Sequence, residues 1–75
     1  MTLLAHLPIG ARGRVLAIHD TDEIGLRLLE MGVTPGVEVT VAGCAPLGDP
    51  LELEVRGYRL SVRRSEARCI EVEPL

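Results

Sequence analysis

The chain has 75 residues, a formal charge of −3 and 47% hydrophobic residues, which is enough for one small domain and one thin core. With twelve Leu, eight Val and four Ile against a single Tyr and no Phe or Trp, that core must be aliphatic, and stacking on nucleic-acid bases is excluded as a main activity. All eight basic residues are Arg and they intersperse with the acids, so there is no basic stripe.

The chain opens with "LLAHLP", one short amphipathic turn that puts Leu3, Leu4 and Leu7 on one face before Pro8. The start lacks a basic n-region, its apolar run is broken by His6 and Pro8, and no segment approaches the roughly 20 apolar residues needed to span a bilayer. The expectation is a cytoplasmic protein with no direct membrane insertion. Gly13 to His19 is an aliphatic, β-branched run that reads as a strand buried on much of both faces.

A helix follows. Asp20 is its expected N-cap, with Glu23 three residues later. Ile24, Leu28 and Met31 form one stripe, and Leu26, Leu29 and Val33 widen it beyond what a thin core obviously covers. Gly32 is placed to take the left-handed conformation that closes a helix, and Pro35 with Gly36 turns the chain into the next element. Arg27 reads as part of the solvated face.

From Gly36 the period changes to two. Val37, Val39 and Val41 point one way, then Leu51, Leu53 and Val55, then Tyr58, Leu60 and Val62. A two-residue turn at Arg56-Gly57 pairs Val55 with Tyr58, Leu53 with Leu60 and Leu51 with Val62, and sets Glu54 opposite Arg59. Between these strands lies "CAPLGDP", residues 44–50, in which Pro46 and Pro50 stiffen a loop that carries an apolar Leu47. Ser65 to Ala67 reads as one helical turn and Cys69 to Glu73 as a last strand. The expectation is a mainly β fold of one domain, residues 1–75: a small SH3-like barrel of about five strands, one helix between the first two, and a helical turn before the last. Closure of such a barrel would remove exposed edges.

Chemistry is sparse. His6, His19, Cys44 and Cys69 are the soft ligands, but no pair has metal-binding spacing, so they are weak metal candidates only and no cofactor is expected. The two Cys read as reduced thiols. No nucleophile–base constellation and no phosphate loop occurs, and Glu52 and Glu54 stand opposite arginines on a solvent face, so an enzyme is not expected.

The run Arg27-Leu28-x-x-x-Gly32-x-x-x-Gly36, the loop Ala45 to Pro50, and the ending Ser61 to Val72 with its Glu66-Ala67 together resemble the FeoA family, from about Leu7 to Val72. Val62 departs conservatively from the Leu usual in that ending. The resemblance implies an SH3-like fold and a non-enzymatic accessory or regulatory role in bacterial ferrous iron uptake. The partner it implies is the cytosolic part of a FeoB-type membrane GTPase transporter, which would hold the protein peripheral to the inner membrane. The same module forms a C-terminal domain in DtxR-type iron-dependent repressors, so a stand-alone repressor-like module is one alternative and a metal-responsive sensor another. On this reading Pro46, Leu47, Gly48 and Asp49, with Leu26 and Arg27, form the partner surface, while Gly32, Pro35, Gly36, Pro50 and Gly57 are structural turns. Exposed strand edges and the apolar excess are compatible with a homodimer.

Overall fold

The computed structural model describes residues 1–19 and 23–75. Among them, six antiparallel strands make one sheet: β1 (Thr2–Leu3), β2 (Arg12–Ile18), β3 (Glu38–Cys44), β4 (Leu51–Val55), β5 (Tyr58–Val62) and β6 (Ile70–Pro74). Their order is β1-β6-β2-β3-β4-β5. A 3-10 turn, Leu4–His6, follows β1, helix α1 (Glu23–Glu30) joins β2 to β3, and the four-residue α2 (Arg64–Ala67) precedes β6. The fold is the expected SH3-like one, with one short strand more: the opening turn is preceded by Thr2 and Leu3, which pair with Val72 and Glu71 of β6. Asp20, expected as the N-cap of α1, lies outside the described residues.

Alternation decides which residues go inside. β4 reads buried–exposed–buried–exposed–buried along Leu-Glu-Leu-Glu-Val, and Val37, Val39 and Val41 are buried beside it. Register shifts between Val15 and Ala17 in β2, and between Val41 and Gly43 in β3, place one extra residue on a strand. Such bulges bend and twist a sheet, which lets six short strands wrap one core. That core is aliphatic throughout: Leu4, Val15, Leu28, Val33, Leu53, Val62, Ile70 and Val72 belong to one cluster. Leu28 is α1's fully buried side chain, and it enters beside Val33.

The β4–β5 hairpin has the register that its sequence predicts, from Val55↔Tyr58 to Leu51↔Val62. Its turn residues Arg56 and Gly57 have φ of 52° and 84°, the two positive values of a type I′ hairpin turn. Tyr58 departs from expectation. It is half-exposed rather than inside, because its ring ends the hairpin and its hydroxyl donates to the Met31 carbonyl just beyond α1.

The same corner closes α1. Gly32 has φ of 93°, its N–H bonds Leu29 O at 3.0 Å, and the Val33 N–H bonds Leu28 O at 3.0 Å. These two bonds satisfy carbonyls that a helix end otherwise leaves open, and Val33 and Leu28 are both buried in the core. A Cβ on Gly32 would overlap the Tyr58 hydroxyl. Gly32→Ala therefore combines backbone strain with a clash, and a destabilisation of about 1–3 kcal/mol is expected in urea unfolding. Adding Tyr58→Phe should recover part of that loss, because the clashing oxygen is gone; strictly additive effects would show that the overlap is not the cause.

Candidate functional site: a displayed loop anchored on a helical turn

The loop between β3 and β4 is held from inside and from outside. Inside it, Ala45 N–H bonds Pro50 O at 3.0 Å and Gly48 N–H bonds Ala45 O at 2.7 Å, while Gly48 takes φ of 87° and the Asp49–Pro50 peptide is cis. From outside, Arg64 grips it. The Arg64 backbone N–H donates to Asp49 Oδ1 at 3.1 Å, its Nε donates to the Gly48 carbonyl, and one terminal nitrogen reaches Ala5 O at 3.5 Å. One arginine thus ties the loop to the start of α2 and to the 3-10 turn.

Leu47 sits at the tip of this braced loop and is 97% exposed. Leucine gains nothing from water, and no contact of the fold needs it there. Pro46 is exposed beside it. Of the four loop residues expected to meet a partner, Pro46 and Leu47 are therefore presented outward, whereas Gly48 and Asp49 spend their polar groups on holding the loop. A shallow depression of about 380 Å³ lies against the same loop, lined by Asp49, Pro50 and Arg63.

The second expected patch, on α1, is anchored to the same turn. Leu26 and Leu29 are 58% and 44% exposed, so the apolar stripe of α1 is wider than the core it covers. Arg27, expected as a solvated side chain, instead pairs with Glu66. Its two terminal nitrogens lie 3.2 and 3.3 Å from the two carboxylate oxygens. Glu66 is 2% exposed and is the buried charged residue of the described structure. Its Oε1 also accepts the Arg63 N–H at 2.9 Å, which satisfies an open donor at the start of α2. Two residues of α2, Arg64 and Glu66, thus hold the loop and the helix respectively.

Neither role is obvious from sequence. Arg63-x-x-Glu66 has the spacing of a capping box without the Ser or Thr that normally marks one, and "SEA" reads only as a turn. Gly36 has φ of 93° and its N–H bonds Val15 O at 2.7 Å, and Pro35 is exposed in the same turn. The weak metal candidates are scattered. His6 is exposed in the 3-10 turn, His19 Nε2 lies 2.8 Å from Glu71 Oε1, Cys44 ends β3, and the Cys69 thiol faces Ser65 O at 3.6 Å. Among the described residues no group of three or more His, Cys, Asp or Glu is assembled that could hold a metal ion. Among the described residues no helix is long and apolar enough to cross a membrane.

The FeoA domain profile matches residues 2–74. A curated relative from Porphyromonas gingivalis (strain ATCC BAA-308 / W83), the Fe(2+) transport protein A/Fe(2+) transporter FeoB fusion protein, is 37% identical over 70 residues, which is 93% of this chain and 8% of the relative. This chain therefore spans a small part of that relative's length. The NMR structure of a FeoA-like protein from Clostridium acetobutylicum superposes with a TM-score of 0.90 at 38% identity, covering 100% of this chain and 91% of that one. A zinc complex of Stenotrophomonas maltophilia FeoA, described as a prokaryotic SH3 domain protein, gives 0.86 at 32% identity over 97% of this chain and 91% of that one. A manganese-dependent transcriptional repressor contains the same fold, with a TM-score of 0.89 at 18% identity over 99% of this chain and 36% of that one, a likeness of fold alone.

The Arg27–Glu66 pair should matter more than the exposed ion pairs. Removing Arg27 leaves a carboxylate inside with one hydrogen bond, so Arg27→Ala is expected to cost about 1.5–3 kcal/mol, the range for hydrogen bonds to charged groups. Arg14 bridges Glu38 and Glu73 at 3.5 and 3.3 Å in the open, and Arg14→Ala should cost at most about 1 kcal/mol. Chemical denaturation of both variants checks the order.

Proposed function

This chain belongs to the FeoA domain family, and on that premise we propose that it is a non-enzymatic accessory of ferrous iron uptake that docks on the cytosolic part of a FeoB-type transporter. The observation that carries the reading is the Porphyromonas gingivalis fusion, in which a FeoA-like segment and a FeoB transporter share one polypeptide. Covalent linkage raises the effective concentration of one module at the other, which is useful when the two act together.

The shape of the domain suits a docking role. Its depressions are shallow, its interior is filled by aliphatic side chains, and its exposed apolar side chains include the Leu47 tip and Leu26 and Leu29 on α1. A loop braced before binding loses little conformational freedom on contact, so more of the contact energy is retained as affinity. Arg64 is the brace and Leu47 the contact. Arg27 acts one step back, by fixing α1 on α2 and thereby the direction in which Leu26 faces.

Burial of one Leu side chain contributes about 1.5–3 kcal/mol. Leu47→Asp should therefore weaken binding to the purified cytosolic domain of the transporter by roughly 10- to 150-fold in a titration, with an unchanged circular dichroism spectrum. Full affinity in a folded Leu47→Asp protein would remove the loop from the interface. Arg64→Ala should give a smaller loss together with faster amide exchange at Ala45, Leu47, Gly48 and Asp49; a loss of affinity without faster exchange would assign Arg64 to the contact rather than the brace.

A further inference from the structure

β5 is the last strand of the sheet, and the hairpin geometry says which of its backbone groups face outward. In a two-residue hairpin the residues flanking the turn, Val55 and Tyr58, form a hydrogen-bonded pair, and such pairs recur at every second position. Leu53–Leu60 and Leu51–Val62 are then bonded pairs as well. Arg59 and Ser61 fall between them, so their N–H and C=O groups point away from β4. Among the described residues neither backbone receives a hydrogen bond from any other element, and no strand pairs with β5 on that side. The barrel is left open there, contrary to the expectation that closure would remove its edges.

The side chains along this edge are of two kinds. On the outer face stand Arg59, Ser61 and Arg63, with Arg56 at the turn, all exposed. On the inner face, Leu60 packs partly against the core and Tyr58 is half-exposed. A depression of about 280 Å³ lined by Glu52, Arg59, Leu60 and Ser61 opens beside the strand. Arg59 is only weakly engaged, at 3.9 Å from Glu52, with 65% of its side chain exposed.

We propose that the free edge of β5 is a second docking site, which takes an extended acidic segment of a partner protein as an additional antiparallel strand. The outward N–H and C=O groups of Arg59 and Ser61 supply four backbone hydrogen bonds to such a strand. Its residues opposite Arg59, Ser61 and Arg63 meet those two arginines, with Arg56 at the turn, on the outer face, and are acidic. Glu52 and Glu54 lie one strand further in and offset two of the three charges, but the edge itself stays basic. Its intervening residues face inward beside Leu60 and Tyr58 and are apolar. Alternation of acidic and apolar residues is therefore the recognition pattern, with backbone bonds giving affinity and side chains giving selectivity. A second copy of this chain is the wrong occupant. Pairing β5 with β5 around Leu60 would line Arg56, Arg59 and Arg63 of both copies along one ribbon, and charged edges of this kind oppose self-association. The proposal is independent of the Leu47 loop.

The test is fluorescence anisotropy with a short labelled peptide of alternating Glu and Val, against the intact protein. Saturable binding is expected, at least about tenfold tighter than that of a Lys–Val peptide and weakened by added salt. Ser61→Pro removes one outward N–H at a position where an edge strand tolerates proline, and should lower affinity at least about tenfold with the circular dichroism spectrum unchanged. A peptide N-methylated at its edge-facing amides should lose binding to the unmodified protein, which tests the backbone bonds without any variant. The proposal is overturned if the Glu–Val peptide does not bind, if the Lys–Val or N-methylated peptide binds equally well, or if folded Ser61→Pro keeps full affinity. A dimer in solution that Ser61→Pro dissolves would assign the edge to a second copy and overturn it too.

Discussion

The carboxylate of Glu66 is the interaction on which the arrangement of the surface depends. A charge taken out of water has to be met by fixed donors, or its desolvation exceeds its attraction. Here three donors converge: both terminal nitrogens of Arg27 and the N–H of Arg63. The pair does not add much to the core, which is built from aliphatic contacts alone. Its effect is directional. It ties α1 to α2, with Leu28 turned into the barrel and Leu26 left outside.

From that anchor the loop follows. α2 is four residues long and would be unstable alone, yet it sits between a buried carboxylate and an arginine that holds the β3–β4 connection. The loop and the apolar side of α1 are distant in sequence, and each is tied to the same turn. A partner that contacts either would meet a surface already set. In a domain with a thin core and no aromatic interior, rigidity of the surface comes from such polar ties, because packing has little volume with which to supply it.

The open edge of β5 is a consequence of the same economy of chain. Six strands in 75 residues bend far enough to enclose Leu28 and Leu53, and two bulges supply the curvature. Pairing does not continue round to β1, whose two residues are occupied with β6. If the edge docks a strand as proposed, the arginines along β5 oppose pairing with a second copy and favour an acidic segment.

Much of the fold was legible in the sequence, because period and turn chemistry are local. The two-residue alternation from Val37 to Val62, with an Arg-Gly turn able to take positive φ, specified the β4–β5 register residue by residue, since a slip by one would turn Leu53 out to water. Gly32 marked the end of α1 for the same local reason, and the motifs at Arg27–Gly36, Ala45–Pro50 and Ser61–Val72 carried the family. What only the tertiary structure decided were pairings between residues far apart in the chain. Arg27 meets Glu66, Arg64 meets Gly48 and Ala5, and Tyr58 meets Met31, and nothing in the neighbouring residues specifies such contacts. A charged side chain on an amphipathic helix looks solvated until the fold brings a buried carboxylate beside it. For the same reason Leu47 was recognisable as an oddity from its sequence, while the grip that holds it in the open is a property of the folded molecule.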